Sequence, residues 1–298
     1  VKMLDESSQI RDRKILAKRI KTLLDQYGVP EFLNKRDAFL FKMYQAFGHH
    51  FDFIAIPIIK KRLRMDTSQV IINEERPQLT KHLATRFKEK IGQNVNLLGE
   101  VVLGNGEADH RYHHYLEALE SPDINYISVK ISGIYAQTHA LNYEESFPEL
   151  VSRMSALYQK AIDFPYTDED GIKRSKFINL DMEEYKDAHF TLRLFKAVLN
   201  LPQFKNYSAG IVVQAYLPDA YDFQTELLEF AKARVDGGGA PIKMRLVKGC
   251  NLEMETVISS LKGWPNPIRP SKTEVDANYL CLLERGLMPE NARVLHLG

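Results

Sequence analysis

Two cations, Arg245 and Lys248, stand where a strand-like pattern gives way to a helical one. Apolar and basic residues alternate over positions 242–247, which predicts a short strand, and Gly249 ends it. Ligands bind at the carboxyl ends of the strands in parallel α/β folds. A buried strand carries an arginine there only beside a polar or anionic partner, so this stretch predicts a ligand site.

Polar side chains also end the other predicted strands. These residues are Glu100, Lys130, Asp181 and Gln214. One such residue would carry little weight, but several that converge on one rim of a barrel indicate a functional site. The alternative is a set of salt bridges that closes the top of the barrel.

The residue types at these strand ends favour an anionic ligand, since they comprise cations, carboxylates and one amide. They include no Ser-His-Asp or Cys-His set, which argues against nucleophilic hydrolysis. Lys130 or Lys248 could form a Schiff base if burial lowered its pKa. The amide of Gln214 donates and accepts hydrogen bonds at once, which suits a heterocycle such as a flavin ring.

Three histidines, His110, His113 and His114, share one face of a predicted helix. Their spacing is one that can bind a metal. Arg111 and Glu117 lie among them, which favours a solvated outer helix, so no metal site is predicted.

Six predicted strands alternate with helices in the larger part of the chain. They cover about residues 95–100, 124–131, 177–180, 211–215, 242–247 and 293–297. This alternation implies parallel strands joined by right-handed crossovers. A doubly wound sheet would carry a glycine-rich turn, but Gly104 and Gly106 lack the third glycine of that motif. We therefore predict an α/β fold, a (β/α)8 TIM-like barrel over residues 91–298, with about six βα units in this chain and the last two beyond Gly298.

Residues 1–90 show helical patterns, so we predict an all-helical region before the barrel. Within it, an apolar run at 51–59 precedes a basic run at 60–64. Together these runs could form an amphipathic anchor for a membrane or a partner. A packed helix end is favoured, because Pro57 should interrupt a continuous helix and basic runs are usually solvated.

The composition is that of an ordinary globular protein, with 44% hydrophobic and 27% charged residues among 298. A net charge of +1 gives no electrostatic case for nucleic acid as a partner. Cys250 and Cys281 form no spaced motif, which suits a reducing cytosol. No apolar run approaches about 18 residues and the first residues lack a signal-peptide core, so we expect a cytoplasmic protein.

Several blocks of sequence carry a family likeness, in order and at plausible spacing. They are residues 96–100 (NLLGE), 128–132 (SVKIS), 179–184 (NLDMEE), 213–218 (VQAYLP), 245–249 (RLVKG), 263–265 (GWP) and 271–279 (SKTEVDANY). Over about residues 95–298 the chain resembles the proline dehydrogenase family. The likeness is greatest to the proline dehydrogenase part of the bacterial bifunctional proline utilization A proteins.

The resemblance implies an FAD enzyme on a (β/α)8 barrel. Such an enzyme oxidises L-proline to Δ1-pyrroline-5-carboxylate, the first step of proline degradation to glutamate, and passes electrons to a membrane quinone. The likeness to the bifunctional proteins also implies a fused pyrroline-5-carboxylate (glutamate semialdehyde) dehydrogenase domain downstream. It leaves open a peripheral contact with the inner face of the cytoplasmic membrane.

The resemblance also implies a role for each candidate residue. Lys130 would pair with the proline carboxylate, with Asp181 beside it to hold the active-site charges in register, and Glu100 would orient a substrate-binding arginine. Gln214 would hydrogen-bond the flavin pyrimidine edge. Arg245 would lie near flavin N5 and stabilise the reduced ring. The remaining flavin contacts would come from Leu180, Val247, Lys248, Gly249 and Cys250.

Two departures from the family pattern bear on these roles. Asn251 and Leu252 stand where many bifunctional members have a Tyr-Trp pair. The family's paired arginines for the substrate carboxylate, and a histidine-bearing loop, fall past Gly298, so we expect little activity from this chain alone. The alternatives to the flavoenzyme are a Schiff-base aldolase or lyase on the barrel, and a non-catalytic helical docking module with a degenerate barrel.

Overall fold

The computed structural model describes residues 10, 12–30, 33, 35–47, 52–67, 72, 76–97, 102, 104–136 and 138–298. The chain forms two compact units, Val1–His82 and Leu83–Gly298. No helix in these described ranges is long and apolar enough to cross a membrane.

Helices form the first unit. They are α1 (Arg13–Tyr27), α2 (Lys35–Phe47) and α3 (Asp52–Thr67), and α4 (Arg76–Lys88) crosses the boundary between the units. The Asp12 side chain caps α1 by accepting a hydrogen bond from the backbone N–H of Ile15. Apolar residues at helical spacing, such as Leu16 and Ile20, then bury one face of α1 against Phe41 of α2 and residues of α3.

The prediction that Pro57 interrupts a helix is wrong, because α3 runs unbroken through it. A proline inside a helix removes one hydrogen bond and crowds the preceding turn. Ile56 and Ile59, on either side of it, are both buried in the core of the first unit. Tertiary packing of this kind outweighs local helix propensity. The helix therefore packs in the core of the first unit, although Phe53, Ile54 and their neighbour Ile58 stay about half exposed.

Among the residues that the structure describes, six parallel strands form the sheet of the second unit. They are β1 (Val95–Asn96), β2 (Tyr126–Lys130), β3 (Phe177–Asp181), β4 (Gly210–Gln214), β5 (Ile242–Val247) and β6 (Leu295–Leu297). The helices between them are α5 (Asn105–Glu120), α6 (Ile131–Ile134), α7 (Tyr143–Asp163), α8 (Ala188–Leu199), α9 (Ala220–Asp236), α10 (Leu252–Lys262), α11 (Lys272–Leu287) and α12 (Pro289–Ala292). The predicted alternation of strands and helices is confirmed.

The sheet curls into a TIM-like barrel. Its strands pair in the order β1 to β6, each with the next along the chain, whereas a doubly wound sheet reverses its order at a switch point. In a flat sheet β2 and β5 would lie three strand spacings apart, about 14 Å. Yet the Arg245 guanidinium on β5 hydrogen-bonds the Ser128 hydroxyl on β2 at 3.2 Å. The two side chains therefore meet across the inside of a curved sheet.

Alternating burial along β5 shows which side chains face inward. Ile242, Met244 and Leu246 are buried on the face that packs against the outer helices, while Lys243, Arg245 and Val247 are half-buried on the other face. Amphipathic helices cover the outside of the sheet, and α7 buries Leu150, Met154 and Leu157 there. The polar residues of β5 are therefore placed inside the barrel.

Three local features differ from the sequence predictions. Ile131, predicted to end a strand, instead begins the short helix α6. A two-stranded hairpin (Tyr166–Thr167 with Lys173–Arg174) was not predicted. The first strand is limited to two residues among those described, and Glu100 lies outside the described residues. Elements this short bury too little apolar surface to leave a periodic signal in the sequence.

Candidate active site

An ion pair inside the barrel forms the centre of the site. The Arg245 Nη2 donates to Asp181 Oδ1 at 2.7 Å, and its Nη1 donates to the Ser128 hydroxyl at 3.2 Å. Lys130 lies directly opposite Asp181 in the register of β2 and β3. Three of the predicted site residues are thus brought together at the carboxyl ends of neighbouring strands.

The Asp181 carboxyl is buried and strongly constrained. Its Oδ1 also accepts from Asn179 Nδ2 at 2.9 Å, and Asn179 fits only because Gly210 faces it: a Cβ at Gly210 would lie 2.6 Å from Asn179 Oδ1. Burial raises the pKa of Asp181 above its usual value, while Arg245 and hydrogen bonds from Ser128 and Asn179 act in the opposite direction. The partners therefore offset part of the cost of burying a carboxylate.

Lys130 is more open than Asp181 and has a different partner. Its Nζ lies 3.3 Å from Glu183 Oε1, and Ser132 donates to the other oxygen of Glu183 at 2.5 Å. About a third of the Lys130 side chain is exposed. Its ammonium group is therefore held at the mouth of the barrel, where an anionic ligand can reach it. Glu183 was not predicted as a site residue.

Gln214 is fully enclosed at the end of β4. Its amide nitrogen donates to the carbonyl of Met182 at 3.1 Å and to that of Glu183 at 3.4 Å. Its Oε1, like Arg245 Nε, is buried and has no hydrogen-bond partner in the described part of the chain. Buried polar atoms are rarely left unsatisfied. Other buried polar atoms of the described residues, such as Asn179 Oδ1, also lack a partner. The Gln214 acceptor and the Arg245 donor are the two that a bound group with a matching donor and acceptor would satisfy.

These two atoms are of the kind that a flavin needs. The ring offers an N–H donor on its pyrimidine edge and acceptor nitrogens elsewhere, which match the Gln214 oxygen and the Arg245 N–H. The residues present therefore fit FAD. Leu180 is fully buried on the face of β3 opposite Asp181, so a ligand inside the barrel would meet its main chain and not its side chain.

The residues that follow Arg245 make contacts away from the Arg245–Asp181 pair. The carbonyls of Val247 and Lys248 accept from the backbone N–H groups of Ala215 and Tyr216 at 2.8 and 2.7 Å. Gly249 has φ +129°, and a Cβ there would lie 2.2 Å from the Tyr216 ring. The Lys248 Nζ pairs with Asp276 on α11 at 2.6 Å, and Cys250 is exposed. The structure thus does not bring Lys248 or Cys250 to the Arg245–Asp181 pair.

The histidines of α5 do not form a metal centre. His113 Nδ1 lies 2.6 Å from the Asp109 carbonyl, and the ring centroids of His110 and His114 lie 4.4 Å apart with the rings tilted by 35°. No group of three or more metal-ligating side chains occurs among the residues that the structure describes.

A cavity of about 240 Å³ opens beside Asp181. This is smaller than the roughly 300–1,000 Å³ of pockets for drug-sized ligands, so it suits a small substrate. Its wall is largely polar and includes Ser132, Thr138, Glu183, Glu184, Lys186 and Asp187.

Distant residues brace the loop that forms this wall. Glu255 on α10 accepts from the backbone N–H of Tyr185 at 2.7 Å, and the Tyr185 hydroxyl donates to Asp219 at 2.6 Å. Burial raises the pKa of Glu255. The sequence did not indicate these contacts, since Glu255 and Tyr185 lie 70 positions apart.

A curved parallel sheet with an Arg–Asp pair, a lysine and an enclosed amide at its carboxyl ends defines an enzyme of the α/β-barrel class. The family model for proline dehydrogenase matches residues 79–298. The chain therefore belongs to the proline dehydrogenase family. A search of curated proteins finds no match.

Solved structures of proline utilization A (PutA) are similar to this chain. The protein from Corynebacterium freiburgense is 35% identical over 97% of this chain and 26% of its own, with a TM-score of 0.73. The protein from Bdellovibrio bacteriovorus, inactivated by N-propargylglycine, is 27% identical over 99% of this chain and 30% of its own, with a TM-score of 0.68. The Bradyrhizobium japonicum protein, at 20% identity and a TM-score of 0.64, shows the shared fold alone. The chain thus spans about a quarter to a third of the length of these proteins.

Proposed function

We propose that this chain carries the proline-oxidising site of a proline dehydrogenase: FAD-dependent oxidation of L-proline to Δ1-pyrroline-5-carboxylate, by hydride transfer to flavin N5. The observation that carries the proposal is the Arg245–Asp181 pair, with an unpartnered donor and acceptor on Arg245 and Gln214, in a chain of this family. When bound, FAD supplies the two-electron acceptor that no protein side chain can provide.

The residues of the chain orient the substrate. In the proposal, the Lys130 ammonium binds the proline carboxylate, and its bond to Glu183 keeps it aimed at the barrel mouth. The ring nitrogen loses its proton before the adjacent ring carbon gives up a hydride. Orientation and charge, not covalent chemistry by the protein, lower the barrier.

Two other side chains address the flavin. The Met182 carbonyl holds the Gln214 amide nitrogen, so the amide oxygen is left to accept from the ring edge. Arg245 offers a fixed positive charge and one free N–H in a site largely shielded from water. A cation so placed favours negative charge on the reduced ring more than it would in water.

The wider context of the protein is also a proposal. The solved relatives are named proline utilization A, and the likeness implies a quinone as electron acceptor, a fused pyrroline-5-carboxylate dehydrogenase domain, and a cytoplasmic protein with peripheral membrane contact. The aldolase alternative loses support, since Lys130 and Lys248 both pair with carboxylates. Each lysine nitrogen is thereby held by a carboxylate and is not free to reach a carbonyl carbon.

Visible spectroscopy with proline tests the proposal. The protein expressed from the complete reading frame that contains these residues should be yellow, and anaerobic proline should bleach it. Lys130→Met should raise the KM for proline tenfold or more, because a charged hydrogen bond to the carboxylate is lost. Lys160→Met, which removes a lysine paired with Glu120 on the outer helices, is the matched control and should leave KM unchanged. A colourless protein, or one that proline does not reduce, would refute the assignment.

A further inference from the structure

Ser128 has an unusual position for a small residue in the middle of a strand. It is fully buried, and its hydroxyl has three polar partners inside the barrel. It accepts from Asn94 Nδ2 at 2.8 Å and from Arg245 Nη1 at 3.2 Å, and it acts to lower the pKa of the nearby Asp181 carboxyl. A serine hydroxyl has two lone pairs and one hydrogen, so these partners use its full capacity.

The three contacts fix the direction of the hydroxyl hydrogen. Asn94 and Arg245 can only donate through the atoms that face Ser128, so they take both lone pairs. The remaining hydrogen is then left to donate to the Asp181 carboxylate, which agrees with the lowering effect of Ser128 on the pKa of Asp181. Asn94, which precedes β1, thereby orients the Ser128 hydroxyl on β2. That hydroxyl in turn acts on Asp181 of β3 and Arg245 of β5.

This hydroxyl constrains the guanidinium of Arg245 at a second point. Asp181 holds only Nη2, and one hydrogen bond would leave the planar group free to turn about it. The bond from Nη1 to Ser128 removes that freedom, because both terminal nitrogens are then fixed to different strands. The free Nε is consequently held in one direction.

We propose that Ser128, oriented by Asn94, is a positioning residue that sets the direction in which Arg245 presents its charge and its free N–H to the electron-accepting ring. The inference rests on the proposed function, because it takes a flavin as the group that Arg245 addresses. Ser128 itself touches neither proline nor flavin in this account. It acts through Arg245, and so its loss changes the flavin and not the binding of proline.

The first measurement is the midpoint potential of the flavin in the flavin-loaded protein. Ser128→Ala should weaken the preference for the reduced flavin about tenfold, which is about 30 mV for two electrons. The kcat for proline should fall about tenfold, while KM stays within twofold. Ser128→Thr keeps the hydroxyl and should restore most of both values. A Ser128→Ala protein with the wild-type potential overturns the proposal, whatever its turnover.

The controls separate positioning from packing. Ser146→Ala removes an equally buried serine on α7 that bonds only a backbone carbonyl, and it should leave the potential unchanged. Asn94→Ala should give a smaller shift of the same sign. In the double variant Asn94→Ala/Ser128→Ala, the two shifts of the midpoint potential should not add, because in the proposal Asn94 acts only through Ser128. Additive shifts would contradict the proposed order of action.

A second measurement does not need flavin. The Asp181 carboxyl can be titrated by carbon NMR in the flavin-free chain, with Asp181→Asn used to assign its signal. Ser128→Ala should raise the pKa of Asp181, since a stabilising hydrogen bond to the carboxylate is lost. If proline never reduced the wild-type protein, the proposed function would fail, and this titration alone would decide the role of the hydroxyl. An unchanged titration would overturn it.

Discussion

Arg245 sits at a position where an apolar residue would be expected, facing the inside of a barrel. The fold tolerates it because Asp181 and Ser128 satisfy both of its terminal nitrogens. Among the described residues, Nε has no partner, which is a cost that a purely structural ion pair would not carry. The arrangement is therefore better explained by ligand binding than by stability.

The first prediction concerns Arg245→Met in the flavin-loaded protein. The rate of flavin reduction by proline should fall 100-fold or more, as for other losses of a charge that stabilises a transition state. Folding should be affected less, because the Asp181 carboxyl keeps its hydrogen bond from Asn179. Rapid mixing under anaerobic conditions measures the rate. Arg245→Lys keeps the positive charge but loses the paired guanidinium donors. Its rate of flavin reduction should therefore lie between those of the wild type and Arg245→Met. A wild-type rate in Arg245→Met would exclude the role given to it.

The second prediction concerns Lys176, which is buried at the start of β3 and donates to the Ser121 carbonyl. Burial lowers its pKa from 10.5 to about 8, with Asp123 opposing. Between about pH 8 and 10 the unfolded chain binds the proton and the folded chain does not, so stability rises with pH. The free energy of unfolding should therefore increase by about 1–2 kcal/mol across this window.

Lys176→Met should abolish that increase, and Lys232→Met, which removes an exposed lysine on α9, should retain it. The chain has one tryptophan, Trp264, and it lies in the second unit, so fluorescence during urea unfolding reports the relevant transition. Comparison with the variants is needed because buried tyrosines also affect the pH dependence. Burial raises the pKa of Tyr207, so the folded protein loses stability when the unfolded chain ionises this tyrosine above about pH 10. Equal pH dependence in both variants would show that Lys176 is not the cause.

At the scale of elements, Pro57 and Pro148 pose the same problem in two helices. Each is the sixth residue of its helix, and both helices continue through it. In each case the carbonyl four residues earlier loses its donor. Local propensity predicted a break at Pro57, and the packing of Ile56 and Ile59 prevented it. A single sequence does not show which of these two effects prevails.

The third prediction follows from the competition between local helix propensity and tertiary packing at these prolines. Pro57→Ala restores the missing N–H and should stabilise α3 by about 1–3 kcal/mol. Native-state hydrogen exchange should then be slower at the amides of this helix. Pro148→Ala should have the same effect on α7, which makes it a parallel case in the second unit. Faster exchange in α3 would mean that the proline supports the packing of the helix in some other way.

At the scale of the whole molecule, the barrel could be predicted because the sequence patterns that indicate it are local. Strand–helix alternation and apolar runs identify each unit, and right-handed crossovers restrict their arrangement. The charged residues of the candidate site could also be picked out from the sequence, because charged side chains such as Arg245 and Asp181 are unusual in buried strands. Ser128 gave no such signal, because a serine in a strand is unremarkable until its partners are known. Contacts such as Tyr185–Glu255 depend on which helices lie side by side.

The last prediction concerns how ligand binding is distributed over the two units. Each unit has a hydrophobic core of its own, and every described residue assigned to the flavin lies in Leu83–Gly298. A ligand stabilises only what it binds, by about 2.7 kcal/mol at a hundredfold excess over its Kd. Added FAD should therefore slow hydrogen exchange in β2 to β5 and leave α1 to α3 unchanged. AMP, which lacks the ring that Gln214 and Arg245 address, should give no protection of these strands. Equal protection of α1 and β3 by FAD would show that the first unit takes part in the site.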